Sequence, residues 1–188
     1  FLRRCGMKQI TKDHILDSFN RLLRAYQFEE ITVKMIMEES GVSRSTFYRY
    51  YFDKYDVMNY NYKKRLDRWV GSQNCKSWRE LYQRIFYATD RDRKREKNAF
   101  SYVGPNSYTA FLYDYSYSMI EEITMKSRGK PLTKEEKLQL SVFCYGGIAV
   151  DIDWINQKTD YPREEIAEQI YLAMPATLRD EWCNLDNA

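Results

Sequence analysis

The chain has 188 residues, 44% of them hydrophobic, with 30 Lys and Arg against 27 Asp and Glu. That length allows one large domain or two small ones, and the apolar share is enough for a buried core. No apolar run is as long as a bilayer crossing needs. The first 30 residues also lack the apolar segment of a signal peptide, so a cytoplasmic protein with no membrane partner is expected.

The four cysteines, Cys5, Cys75, Cys144 and Cys183, are scattered, and the chain has a single histidine, His14. No Cys-x-x-Cys pair exists, which excludes the usual zinc spacings and suits a reducing compartment. The formal charge of +3 is shared unevenly. Residues 1–70 hold 14 basic and 9 acidic side chains, and residues 71–188 hold 16 and 18.

Phe1 to Gly6 precede Met7 and read as an upstream extension or as residues foreign to the chain; Arg3, Arg4 and Lys8 make this arm basic. The first helix is expected over about Thr11 to Tyr26, with Ile15, Phe19, Leu22 and Leu23 as its apolar stripe.

Residues 32–54, TVKMIMEESGVSRSTFYRYYFDK, read as two short helices around a tight turn. Thr32 caps a helix over about Val33 to Ser40, with Ile36 facing inward. Gly41 stands where the chain must leave that helix, a position that favours the left-handed conformation. Val42 packs inward and Ser43 caps a third helix over about Arg44 to Tyr50. Phe47 and Tyr51 face the core, four residues apart. The other face carries Arg44, Ser45, Thr46, Tyr48, Arg49 and Tyr50. This is a helix-turn-helix with a polar, basic second helix, as reading a DNA major groove requires. The basic excess of residues 1–70 falls on the same segment.

Asp53 caps a fourth helix running towards Val70, and the polar stretch Gly71 to Lys76 marks a domain boundary. Ser77 and Glu80 form a capping box for a fifth helix starting near Trp78. That helix runs into the mixed-charge segment Arg91 to Lys97, which reads as a solvated helix end. Gly104-Pro105 breaks the chain. Asn106 is expected to cap a long helix reaching about Lys126, stopped by Gly129. Thr133 and Glu136 form a second capping box for an apolar helix through Leu140, Phe143, Ile148, Ile152 and Ile155. Pro162 opens a last helix with Ile166, Ile170 and Met174. No strand alternation and no internal repeat occur. The fold class expected is all-α with about nine helices. An N-terminal three-helix DNA-binding domain spans 8–58, helix 53–70 connects, and a C-terminal helical domain spans 71–188.

The helix-turn-helix segment resembles the DNA-binding domain of TetR-type transcriptional regulators. The resemblance is carried by Ile15, Phe19, Ile31-Thr32-Val33, Ile36, Gly41-Val42-Ser43, Thr46-Phe47-Tyr48-Arg49 and Lys54, between about Thr11 and Met58. The family usually has histidine at the position of Tyr50, proline or a small residue at that of Phe52, and alanine at those of Met37 and Glu39. Segments 102–115, 143–155 and 162–175 resemble the C-terminal domain of the TetR subgroup that includes regulators of dihydroxyacetone-kinase operons.

These resemblances imply a homodimer that binds a palindromic operator in double-stranded DNA and responds to a small-molecule effector, most often as a repressor. The DNA-binding residues would be Thr32, Lys34, Ser43, Arg44, Ser45, Thr46, Tyr48, Arg49, Tyr50 and Lys54. Arg44 would read bases, joined by Lys34, and Thr46, Tyr48, Arg49, Tyr50 and Lys54 would hold phosphates. The effector cavity would be lined by Tyr82, Phe86, Tyr102, Tyr108, Phe111, Tyr115 and Phe143, with Tyr145 nearby. A four-helix dimer interface would use Gly146, Gly147, Ile148, Ile152, Ile155, Ile166 and Ile170. No metal, cofactor or catalytic residue is expected, since His14 lies within the head and no phosphate loop or activated nucleophile is present. Two alternatives stay open: an activator that recruits a co-regulator, and a ligand- or partner-binding relative without DNA recognition.

Overall fold

Several helix starts in this chain are set by side-chain caps, and the computed structural model, which describes residues 2–71 and 75–185 and the side chains from Gln9 onward, has these where hydroxyls and carboxylates can accept orphan N–H groups. Thr32 accepts from the Met35 N–H at 3.1 Å, Ser43 from Thr46 at 3.2 Å, Ser77 from Glu80 at 3.2 Å and Thr133 from Glu136 at 3.2 Å. Ten α-helices result among the described residues: α1 Leu2–Ala25, α2 Val33–Ser40, α3 Arg44–Tyr50, α4 Lys54–Val70, α5 Trp78–Arg91, α6 Arg93–Ala99, α7 Tyr108–Arg128, α8 Lys134–Ile155, α9 Arg163–Ala173 and α10 Ala176–Arg179. A single 3-10 turn, Phe28–Glu30, lies between α1 and α2. No strand occurs among the described residues.

Several boundaries differ from expectation. Helix α1 begins at Leu2 rather than near Thr11, because nothing between them breaks a helix strongly. The fifth helix does not run through the charged segment: it ends at Arg91, with Asp92 as its C-cap, and α6 follows as a separate element. Helix α7 begins two residues beyond Asn106. The Glu80 carboxylate does not close a capping box with Ser77; it accepts the Lys76 N–H at 2.8 Å and pairs with Arg84 at 3.0 Å. The short α10 carries no apolar periodicity that sequence could have revealed. The basic arm and Cys5 fall among side chains outside the described residues, as do residues 72–74 of the expected boundary stretch.

The described residues group into two units, Phe1–Tyr62 with Lys94–Tyr108, and Lys63–Arg93 with Thr109–Ala188. In the first, Ile15, Leu16, Phe19, Leu22 and Leu23 of α1 are buried with Phe28, Ile31, Ile36, Phe47, Tyr51, Val57 and Met58. The stripe read on α1 is this core. In the second, α5 packs along α9, and Trp78, Leu81, Phe86, Ile120, Ile123, Leu140, Trp154, Ile166 and Ile170 are buried.

Helix α8 is, among the described residues, the one helix whose length and composition would allow it to cross a bilayer. The sequence reading expected none. Composition of this kind also arises where a helix packs on several sides, and Leu140, Phe143, Cys144, Trp154 and Ile155 of α8 are buried within their unit.

Candidate DNA-binding surface

The turn between α2 and α3 is made by Gly41 at φ 65°, in the left-handed region, as expected. Phe47 is fully buried, edge-on to Tyr48 at 5.3 Å and tilted against Tyr51 at 6.0 Å. It fixes α3 from behind. On the other side Arg44, Ser45, Tyr48 and Arg49 are exposed, and Thr46 and Tyr50 are partly so. The Arg44 guanidinium lies 5.3 Å from the centre of the Tyr48 ring, an orientation that holds the long side chain without closing its donors. Ser43 and Thr46 form a local pair, the Ser43 hydroxyl donating to Thr46 Oγ1 at 2.9 Å. Lys34 is exposed on α2, 3.7 Å from Glu38.

Helix α1 is tied to this pair. His14 Nε2 lies 2.9 Å from the Ser40 carbonyl oxygen, at the end of α2. Arg21 Nε donates to Glu39 Oε1 at 2.6 Å. The carboxylate that departs from the TetR pattern therefore anchors α2 to α1. Phe52, the other bulky departure, is 83% exposed in the turn before α4. Asp53 caps α4 as expected, accepting the Asp56 N–H at 2.8 Å.

Lys54, expected at a phosphate, engages the chain itself. Its ammonium donates to the carbonyl oxygens of Phe28 at 2.9 Å, Glu29 at 3.0 Å and Ile31 at 2.8 Å. These contacts use all three of its protons.

The aromatic residues expected around an effector cavity fall in both units. Tyr102 and Tyr108 belong to the first unit. Tyr102 packs on Phe28 at 6.1 Å and Tyr55 at 5.3 Å, and Tyr108 on Tyr62 at 5.0 Å and Phe100 at 4.6 Å. Tyr108 is buried and Tyr102 half-buried, and Tyr55 and Tyr62 on α4 were not read as their partners. The remaining five lie in the second unit. Tyr82 meets Phe143 at 6.2 Å, Phe86 meets Trp154 at 5.3 Å, and Phe111 stacks on Tyr115 at 5.6 Å. Tyr145 stacks on Tyr113 at 3.9 Å.

A cleft of about 510 Å³ in the second unit is lined by Asp90, Arg93, Trp154 and residues 157–161. Its charged groups serve the end of α8. Arg93 donates to the Trp154 carbonyl at 2.9 Å and to Asp90 at 2.9 Å, and Lys158 pairs with Asp153 at 2.7 Å.

The expected interface residues divide. Ile155, Ile166 and Ile170 are buried within their own unit and are not part of an open face. Gly146 is exposed, and Gly147, Ile148 and Ile152 are partly so. The open apolar face of α8 is carried by Leu138, Val142 and Tyr145, which are 68%, 66% and 63% exposed. Leu138 and Val142 were not singled out in the sequence, because α8 is apolar on several sides.

An all-helical chain whose head holds a helix-turn-helix with a buried anchor and an outward arginine defines a DNA-binding regulator. Residues 15–60 match the family profile described as bacterial regulatory proteins, tetR family. Residues 76–175, more than half of the chain, match the one described as transcriptional regulator C-terminal region. The chain belongs to the TetR family of transcriptional regulators. No curated protein matches it by sequence. Among solved structures it is similar to the dihydroxyacetone kinase operon activator DhaS, with a TM-score of 0.65 at 16% identity, over 93% of this chain and 99% of that one. Identity that low speaks for the fold alone.

Proposed function

We propose that the chain is a homodimeric, effector-responsive repressor whose two α3 helices enter successive major grooves of a near-palindromic operator. The observation that carries this reading is the two-sidedness of α3, with Phe47 sealed in the core and Arg44, Ser45, Tyr48 and Arg49 turned outward. Arg44 reads a base, since arginine pairs bidentately with guanine in the major groove. Ser45 and Tyr48 reach base edges or thymine methyls, and Lys34 joins from α2. Thr46, Arg49 and Tyr50 hold phosphates and set the register. Half-sites then lie one helical turn, or a multiple, apart.

The dimer forms through α8 and α9. The spacing of Leu138, Val142 and Tyr145 continues to Ala149, which is also exposed, so the four lie on one helix face. Leu172 on α9 is exposed as well. An apolar face of this kind marks an interaction surface, and a second copy is the partner the family supplies. A small-molecule effector in the C-terminal region shifts the population away from the DNA-competent state.

Selection from a pool of random duplexes tests the reading, with an inverted repeat as the expected product. A native protein that enriches no sequence sinks it. A reporter under the recovered operator then gives the sign. Expression rises on deleting the regulator if it represses and falls if it activates.

A further inference from the structure

Lys54 opens α4 directly after the helix-turn-helix, and resemblance would make it a phosphate contact. Its surroundings assign it other work. The three carbonyls it holds belong to the 3-10 turn Phe28–Glu30 and to Ile31, the residue before the Thr32 cap of α2. Carbonyls at the end of such a turn keep acceptor capacity that the turn itself does not use and form a weakly negative site for a cation. The Phe28 N–H donates to Ser101 Oγ at 3.2 Å, and the Ile31 N–H donates to the Phe28 carbonyl at 3.2 Å. The turn is thus anchored on both sides of the ammonium.

The Phe28 ring also lies beneath the cation, with its centre 4.6 Å from Nζ, and the Tyr55 ring stands at 5.7 Å. Phe28 itself is fully buried and edge-packed against Phe19 and Tyr55. Burial lowers the Lys54 pKa from its ordinary value, with the Glu29 carboxylate acting the other way. A phosphate could take this ammonium only by breaking one of its three short contacts.

We propose that Lys54 is a positioning residue. It clasps the chain entering the helix-turn-helix to the helix leaving it, and so holds α2 and α3 in the register that presents Arg44. The proposal rests on the DNA-binding reading for its consequence, but the clasp can be tested without DNA. Arginine is the discriminating substitution. It keeps the charge that a phosphate needs, but its planar fork cannot send three protons from one nitrogen to three converging carbonyls.

The test measures affinity of the native chain, Lys54→Arg and Lys54→Met for the selected duplex across a salt series, with circular dichroism confirming the helical fold. Both variants should lose about tenfold in affinity, while the slope of log affinity against log salt stays at the native value because no phosphate contact is lost. If Lys54→Arg binds like the native chain and Lys54→Met flattens the slope by about 0.9, the residue is a phosphate contact and the proposal is wrong. A nitrogen-15 spectrum of the free native chain supplies the second readout. A clasped ammonium should give a Lys54 signal protected from exchange with water. Absence of that signal overturns the clasp even if no duplex is ever bound, whereas its presence with no DNA binding would fault only the regulatory reading.

Discussion

Arg128 and Glu136 meet as a two-pronged ion pair, Nη1 to Oε1 at 2.7 Å and Nη2 to Oε2 at 2.7 Å, with both side chains largely buried. The pair joins the last turn of α7 to the first of α8. Glu136 also accepts the Thr133 N–H at 2.8 Å and a hydrogen bond from the Thr177 side chain, and Arg128 donates to the carbonyls of Lys130 and Pro131. These contacts, the Arg128 guanidinium foremost, hold the Glu136 carboxyl down to about 2. A carboxyl whose pKa is lower in the folded chain than in the unfolded one stabilises the fold above its ordinary value. That contribution is lost as pH falls from the ordinary carboxylate range towards 2. Glu136→Gln should cost about 3 kcal/mol at neutral pH, the low end for breaking a buried pair. Urea unfolding at pH 7 and pH 3 checks both statements, since the variant should lose less stability on acidification than the native chain.

Arg44→Ala should relax the sequence preference at one position of each half-site and cost about 1–3 kcal/mol in binding. The protein's own fold should be untouched, because Arg44 is exposed and rests against the Tyr48 ring on its own helix. A footprint and a selected sequence identical to those of the native chain would remove Arg44 from the reading role.

What could be read in the sequence was mostly local. Thr32, Ser43, Thr133, Gly41 and Gly129 mark helix ends through chemistry that acts within three or four residues, and α2 and α3 occupy the spans their caps predict. The hydrophobic anchor Phe47 and its polar opposite face were legible for the same reason. Choices made across the chain were not. The packing of Tyr102 on Phe28 and Tyr55 joins residues far apart in the chain and left no local signal. The carbonyls that hold the Lys54 ammonium lie 23 to 26 residues earlier, too far along the chain for any local pattern to signal them. On α8 the apolar residues occupy several faces, so periodicity could not separate Ile155, turned into the core, from Val142, left open.

Two residues in the left-handed region make a paired prediction about backbone strain. Gly41 has φ 65°, and a methyl added there would meet nothing within 4 Å. Gly41→Ala should therefore cost about 1 kcal/mol from backbone conformation alone. Gln157, after α8, has φ 59° without being glycine. Its N–H and that of Lys158 donate to the Trp154 and Asp153 carbonyls at 3.0 and 2.9 Å, closing the helix end. Gln157→Gly keeps those bonds and removes the strain, so it should stabilise the fold by about 1 kcal/mol. Denaturant midpoints that moved in the same direction for both variants would contradict the argument.

The apolar face of α8 separates assembly from folding. Leu138 and Val142 are more than half exposed in the protomer, so Val142→Glu should change protomer stability by less than about 0.5 kcal/mol. In a dimer built on this face it would bury an unpaired carboxylate and split the assembly. Ile170, one turn from the end of α9 and buried, should behave in the opposite way. Ile170→Ala should cost about 2–5 kcal/mol of folding stability through the cavity it leaves. Sedimentation velocity and thermal unfolding on both variants give the two readouts independently. A Val142→Glu chain that still sediments as a dimer would place the interface elsewhere, and one that unfolds at markedly lower temperature as a monomer at equal concentration to a native monomer would mean that the residue supports the protomer itself.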